Sequence, residues 1–116
     1  ENHKRDLDGA IDSMERGGGV PIWPRKLWKP VLRDEYIDLG EALAGTTLAK
    51  PTATKAVTNR VAWLQAWYAY KEAVCFVFAD RRNELQAYKL HVQRHFNNFP
   101  GYLQPNIIRY DKAVRQ

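Results

Sequence analysis

Thr58-Asn-Arg-Val-Ala-Trp-Leu-Gln-Ala-Trp-Tyr-Ala-Tyr-Lys-Glu-Ala-Val-Cys-Phe-Val-Phe-Ala79 decides the fold class. Its apolar residues recur at spacings of three and four, the period of a helix. The pattern predicts a long helix that begins near Thr54 or Thr58 and runs to about Ala79. Three stripes lie side by side on it. The first is Val57, Val61, Leu64, Tyr68, Cys75 and Phe78; the second is Trp63, Trp67, Tyr70, Val74 and Val77; the third is Ala62, Ala66, Ala69 and Ala73. Polar residues keep a narrow strip around Arg60, Gln65, Lys71 and Glu72. A helix apolar on most sides is central in its fold, or is also buried in an oligomer. The alanine stripe lets another helix approach closely, although alanine is also the best helix former.

Outward from this spine the segments are shorter. Asp80 is placed to cap a second helix at about 81–98, with Leu85, Tyr88, Val92, Phe96 and Phe99 as its inner stripe. Asn97-Asn-Phe-Pro-Gly101 is a turn signal. A last helix, roughly 105–115, starts at Pro105 and presents Ile107, Ile108, Asp111 and Val114. On the N-terminal side, Thr46 to Thr54 reads as a loop containing Pro51. Asp38, with Glu41 three residues on, forms a capping box for a turn through Leu43 that Gly45 ends. Pro24 fits the first turn of a short helix towards Arg33, which Pro30 kinks or ends early. Leu7, Ile11 and Met14 give residues 4–16 a helical pattern, and Gly17-Gly-Gly19 stops it. The three glycines read as a flexible joint, so the segment before them is expected to pack loosely or on a neighbour. No segment shows sustained period-two alternation, and there is no internal repeat. The expectation is therefore all-α: a compact bundle of four to six helices, the longest at about 58–79 and the next at about 81–98. Residues 1–19 form a short helix and glycine-rich joint; residues 20–116 form one helical domain.

A length of 116 residues suits a single domain, and an apolar fraction of 45% supports a folded core. One cysteine excludes an intrachain disulfide and points to a reducing, intracellular setting, cytoplasmic or nuclear. No apolar run approaches the roughly 20 residues of a membrane span, and the start lacks a signal-peptide pattern. A first residue of Glu1 rather than Met suggests an excised domain or a processed fragment. The charge is lopsided. Residues 1–57 hold nine Lys/Arg and nine Asp/Glu; residues 58–116 hold nine and four, so the whole formal charge of +5 sits on the aromatic half. A sequence pI near 9.5 favours an acidic partner, nucleic acid or an anionic surface. The same charge also simply keeps a small domain soluble.

Catalytic chemistry finds little footing. His91 and His95 have metal-ligand spacing, but the zincin motif needs Glu where Val92 stands, and a zinc site needs four ligands. Cys75 lies in an apolar run without an evident base, as a buried structural thiol does. Gly17-Gly-Gly19 lacks the Lys-Ser/Thr of a phosphate loop. No catalytic residue, metal or cofactor is indicated. The basic helix is the better candidate: Arg81, Arg82, Lys89 and Arg94 read as a stripe that contacts phosphates with little sequence preference, or as an ordinary solvated face. Trp63, Trp67 and Tyr70 read as core or as a self-association interface, with base stacking the lesser alternative.

The order of these pieces resembles that of the gag-like first-reading-frame proteins of tyrosine-recombinase retrotransposons of the DIRS and Ngaro type. The matching pieces are Pro21-Ile-Trp-Pro-Arg-Lys-Leu27, Asp34-Glu-Tyr-Ile-Asp-Leu-Gly-Glu-Ala-Leu43, Trp63-x-x-x-Trp67-x-x-Tyr70, Leu85-x-x-Tyr88 and Tyr110-Asp-x-x-Val-Arg115. The resemblance covers about residues 20–116. It departs where the family often has Trp for Ile107 and Phe for Val114, so a host-domesticated relative is equally in keeping. What it implies is a non-enzymatic structural role: self-association into a homo-oligomer and packaging of the element's RNA, with the recombinase and reverse transcriptase on other polypeptides; the basic C-terminal half adds nonspecific binding of RNA or DNA. His91-x-x-Arg94 with Tyr110 is similar in outline to a tyrosine-recombinase site, but the chain is too short for that catalytic domain. Two other readings stay open: an interaction module for another protein, using the aromatic helix, and a small DNA-binding domain, for which no helix-turn-helix with a polar recognition helix is visible.

Overall fold

The computed structural model describes residues 9–13, 16–46 and 57–116. Among these residues the protein is all-α, without a strand. Residues 9–13 and 16–17 are helical. Five further helices follow: α1 (Trp28–Leu32), α2 (Leu39–Thr46), α3 (Arg60–Val77), α4 (Arg82–Asn98) and α5 (Gln104–Arg115). Single 3₁₀ turns at Arg25–Leu27, Ala79–Arg81 and Gly101–Leu103 lead into α1, α4 and α5.

Helix α3 is the spine. Asn59 Oδ1 accepts the Ala62 N–H at 2.9 Å, so its start is capped by a side chain suited to that position. A second free N–H at this end, that of Arg60, is taken at 3.0 Å by Gln104 Oε1 from the first turn of α5. The start of α5 is thereby tied to the start of α3. Phe78 leaves the helical region (φ −122°, ψ 77°) and ends the spine. Asp80 does not cap α4. It lies inside the 3₁₀ turn, and α4 begins at Arg82 with no side-chain cap.

The inward face of α3 draws on all three stripes of the sequence. Trp63, Ala66, Trp67, Ala73, Val74 and Cys75 are buried, whereas Val61 and Tyr68 are exposed. Helical period shows which residues share a stripe; it does not show which of two adjacent apolar stripes the neighbouring helices cover. Here α4 and α5 cover the tryptophans. Helix α2 lies against α3 over the longest stretch. Ala42, Ala66 and Ala73 are fully buried, and small side chains are what permits so close an approach.

The N-terminal half wraps this spine. Pro24 precedes the 3₁₀ turn, and Pro30 is the third residue of α1, where the missing N–H leaves no bond unmade. Helix α1 ends in a Schellman motif: the Glu35 N–H donates to the Pro30 carbonyl (2.9 Å) and the Asp34 N–H to the Val31 carbonyl (3.1 Å). Asp34 takes the left-handed conformation usually given to glycine (φ 56°), which aspartate tolerates better than most side chains. Asp38 caps α2 as expected, its Oδ2 accepting the Glu41 N–H at 3.2 Å. Gly45 lies within α2 rather than ending it.

Gly18 and Gly19 have φ of +78° and +70°, values that end the preceding helix and favour glycine. The joint does not release what precedes it. Ile11 is buried in the common core, and Asp12 Oδ1 accepts from Arg25 Nη2 at 2.6 Å. The positions of Leu7 and Met14, and the loop expected at 46–54 beyond Thr46, lie outside the described residues.

Candidate interaction surfaces

The expected candidates separate into a buried network and several exposed faces. Trp63, Trp67 and Tyr70 belong to the first. The indoles of Trp63 and Trp67 stack, with centroids 5.3 Å apart and planes within 6°. Tyr70 and Tyr88 tilt onto Trp67 at 5.0 and 5.3 Å. These rings form the core: the two tryptophans are buried, and Tyr70 is partly buried against them.

At the centre of this core sits a carboxylate. Asp111 is 1% exposed. It accepts from Trp63 Nε1 at 3.0 Å, from Tyr88 Oη at 2.7 Å, and from Arg115 Nε and Nη2 at 2.9 to 3.1 Å. Arg115 completes the junction by donating from Nη1 to the Ile37 carbonyl at 2.9 Å. Its guanidinium lies 5.3 to 5.9 Å from the ring centres of Tyr36, Trp67 and Tyr70. Burial works to lower the Arg115 pKa, but the hydrogen bonds and charge of Asp111 outweigh it and hold the group above its ordinary range. Burial, and then donation to Asp111, raise the Tyr88 hydroxyl well above its usual 10.0. Every partner of Asp111 is thus a donor held in place, and the network joins α3, α4, α5 and the segment before α2. Residues far apart in sequence meet around it: Tyr36, Trp63, Trp67, Tyr70, Tyr88, Asp111 and Arg115.

The four basic candidates are not brought together. Arg81 turns inward, its side chain 26% exposed, and pairs with Asp34 (2.6 Å) and Glu84 (2.7 Å). The hydrogen bond to Glu84, with the charge of Asp34, raises its pKa despite partial desolvation. It is a clamp between the end of α1 and the start of α4, already neutralised. Arg82 lies on the other flank of α4 and reaches Glu72 at 3.5 Å. Arg94 is exposed on the outer side of α4. Lys89 faces a second cation: with Lys71 it lines a groove of about 230 Å³ between α3 and α4, floored by Leu64, Trp67 and Tyr68. The Lys71 ammonium sits 5.6 Å from the Tyr68 ring centre, and the Arg60 guanidinium caps the Phe96 ring at the far end of the same flank. Lys71 and Arg60 stood in the polar strip of the sequence, yet their alignment with Lys89 depends on how the α3–α4 hairpin is paired.

A third face is apolar. Val61, Tyr68 and Phe76 lie on one exposed side of α3, and Ile22 is 74% exposed. Between them runs a groove of about 1080 Å³ lined by Pro21, Ile22, Leu43, Leu64, Ala69 and Cys75 as well as Tyr68 and Phe76. Its charged lining residues are Glu72 and Arg82, which pair with each other. Val61 and Tyr68 stand on the first apolar stripe, whose period leaves open whether the core or an oligomer covers it; in the folded chain both are exposed.

No cluster of three or more His, Cys, Asp or Glu suited to a metal occurs among the described residues; His91 and His95 pack edge to face one turn apart. No helix among those residues is long and apolar enough to cross a membrane. No family model, no curated protein and no solved structure matches the chain.

Proposed function

We propose that the chain is a non-enzymatic, gag-like structural domain that associates with copies of itself. The observation that carries this reading is the exposed apolar side of α3. Val61, Tyr68 and Phe76, with Ile22 across the groove, present large apolar side chains on a small charged protein. Contiguous apolar surface of this kind marks interaction sites. Its charge favours a second copy as the partner. Two chains of net charge +5 repel through most of their C-terminal surfaces, but this face carries one cation and one anion that balance. A face of that composition is self-complementary, as a two-fold interface requires. The convergence of residues far apart in sequence on one buried junction supports treating them as one folding unit.

The test is a pair of surface substitutions, Ile22→Glu and Tyr68→Glu, at exposed positions. The parent chain is expected to gain mass with concentration in light scattering, and either variant to remain monomeric with an unchanged melting temperature. Variants that associate as the parent does would overturn the assignment of this face.

A second reading, nonspecific binding of single-stranded RNA or DNA, is favoured by the electrostatics of the α3–α4 flank. Lys71 and Lys89 face one groove and have no carboxylate in ion-pair range among the described residues. Lys89 remains in this assignment and Lys71 joins it; Arg81, held by Asp34 and Glu84, and Arg82, paired with Glu72 on the other flank, leave it, and Arg94 stands exposed apart from the groove. Both roles belong to an intracellular setting, cytoplasmic or nuclear. If the parent chain neither self-associates nor binds nucleic acid, an interaction module for a different protein, through the same apolar face, takes precedence.

A further inference from the structure

From residue 85 to the end of the chain the sequence contains a single acidic residue, Asp111, and that carboxylate is buried and saturated with donors. The exposed surface of α4 beyond Glu84 and of α5 therefore carries no acidic side chain. Arg94, Arg109 and Lys112 all stand on it exposed. Arg109 is held by the neutral amide oxygen of Asn106, which leaves its charge uncompensated.

The same two helices carry a run of rings, with Arg94 next to His95 and Arg109 next to Tyr110 in sequence. His91 and His95 are one turn apart on α4, centroids 4.7 Å apart. His95 stacks on Tyr110 of α5 at 5.2 Å and on Phe99 at 6.1 Å, with planes inclined by 28° and 21°. The rings are braced. His95 Nδ1 donates to the His91 carbonyl at 3.0 Å, and His91 Nε2 and Tyr110 Oη share a hydrogen bond of 3.1 Å. Yet they are not a core. Phe99 and Tyr110 are 47% and 41% exposed, and Tyr102, in the 3₁₀ turn that joins the helices, is 81% exposed. Phe99 was expected on the inner stripe of α4; it follows the last helical residue in extended geometry (φ −119°, ψ 150°) and turns out to solvent.

We infer that this α4–α5 ledge is a stacking site for the bases of a single-stranded nucleic acid. The site presupposes the nucleic-acid reading given above and specifies which strand form is taken and how. Exposed rings need a partner with flat apolar faces, and cations on two helix surfaces without an exposed acidic side chain beyond Glu84 favour a polyanion. Unpaired nucleotides supply both, because every base has a π-face and every linkage a phosphate. A duplex keeps its bases stacked inward and offers the ledge only phosphates. The histidine pair and Tyr110 hold the platform rigid; Phe99 and Tyr102 are the free edges on which bases settle.

The experiment measures binding of an oligouridylate of about a dozen nucleotides, and of an abasic ribose-phosphate strand of the same length, by fluorescence anisotropy across a salt series. The proteins are the parent chain, Phe99→Ala, Tyr102→Ala and Tyr102→Phe. Both alanine sites are exposed, and helicity and melting verify the fold. The expected result is that each alanine weakens the oligouridylate by about fivefold or more with an unchanged salt slope, and that Tyr102→Phe binds as the parent does. The abasic strand is expected to bind more weakly than oligouridylate and to ignore the alanine substitutions. Salt-dependent binding that is equal for both strands, or unaltered by the alanines, overturns the ledge and leaves the phosphate-only reading standing. Absence of binding to either strand at low salt overturns both.

Discussion

Substituting Asp111 by Ala tests whether the buried junction organises the fold. Three donors lose their acceptor at once: the Trp63 indole N–H, the Tyr88 hydroxyl and the Arg115 guanidinium. The Arg115 side chain is only 12% exposed, so its charge cannot be fully rehydrated where it stands. Removing one partner of a buried ion pair costs about 3–5 kcal/mol, and an orphaned buried donor about 1–3 kcal/mol. These losses overlap, and about 4–5 kcal/mol is the reasonable total. That is a large part of the roughly 5–15 kcal/mol that holds a domain folded. At about 4 °C per kcal/mol for this chain length, the melting temperature should fall by about 15–20 °C. The assay is urea unfolding followed by tryptophan fluorescence, with the slope checked for constancy. The sharper expectation concerns the double variant Asp111→Ala with Arg115→Met. It removes the stranded charge while keeping an apolar stem under Tyr36 and Trp67, so it should be more stable than Asp111→Ala alone, by about 1 kcal/mol or more. A loss under about 1 kcal/mol for Asp111→Ala, or a double variant less stable than the single, would refute the reasoning.

Other expectations follow from the same geometry. Trp67→Ala should cost about 3–5 kcal/mol, whereas Tyr68→Ala next to it should move stability by about 0.5 kcal/mol or less; denaturant curves distinguish them. Tyr88, Tyr70 and Tyr36 are all raised above the ordinary 10.0, with burial the largest cause in each. Above that pH the unfolded chain releases these protons while the folded chain retains them, so stability is full below pH 10.0 and declines as the pH climbs towards the folded values. Melting at stepped alkaline pH measures the decline, and a flat profile would contradict it. Lys71→Gln with Lys89→Gln should flatten the salt dependence of oligouridylate binding by about 1.4 in log–log slope. Arg81→Gln should leave that slope intact and lower the melting temperature instead, because its partners are Asp34 and Glu84.

How far the sequence could be read depends on whether the signal is local. Asp38 caps α2 from within four residues, and the α3 and α4 patterns repeat over several turns; these features follow from the chain directly, whereas the start of α3, expected near Thr54 or Thr58, is set by the Asn59 cap, which the apolar period does not mark. The inward face of α3 does not, because Trp63 and Val61 belong to neighbouring stripes of similar hydropathy and only the packing of α2, α4 and α5 decides between them. Arg81 and Arg82 are adjacent in sequence but point about 100° apart, which sends one into a clamp and the other to the surface. The Schellman turn at Asp34 lacked its usual glycine. Asp111 was the one clear signal of the buried junction, a carboxylate on an otherwise apolar stripe, yet nothing local names its partners across the fold. The nucleic-acid candidates were legible as charge and not as geometry: the sequence contains the uncompensated cations, while the pairing of Lys71 with Lys89 and the stacking of His95 on Tyr110 are tertiary events.

The central claim is self-association, and the solution mass of the parent chain over a wide concentration range, by light scattering with and without a short single-stranded RNA, tests it most directly. The expected result is a mass that rises with concentration above the 13.5 kDa of one chain, and rises further when RNA is added. A mass that stays at one chain throughout and is indifferent to RNA would contradict it.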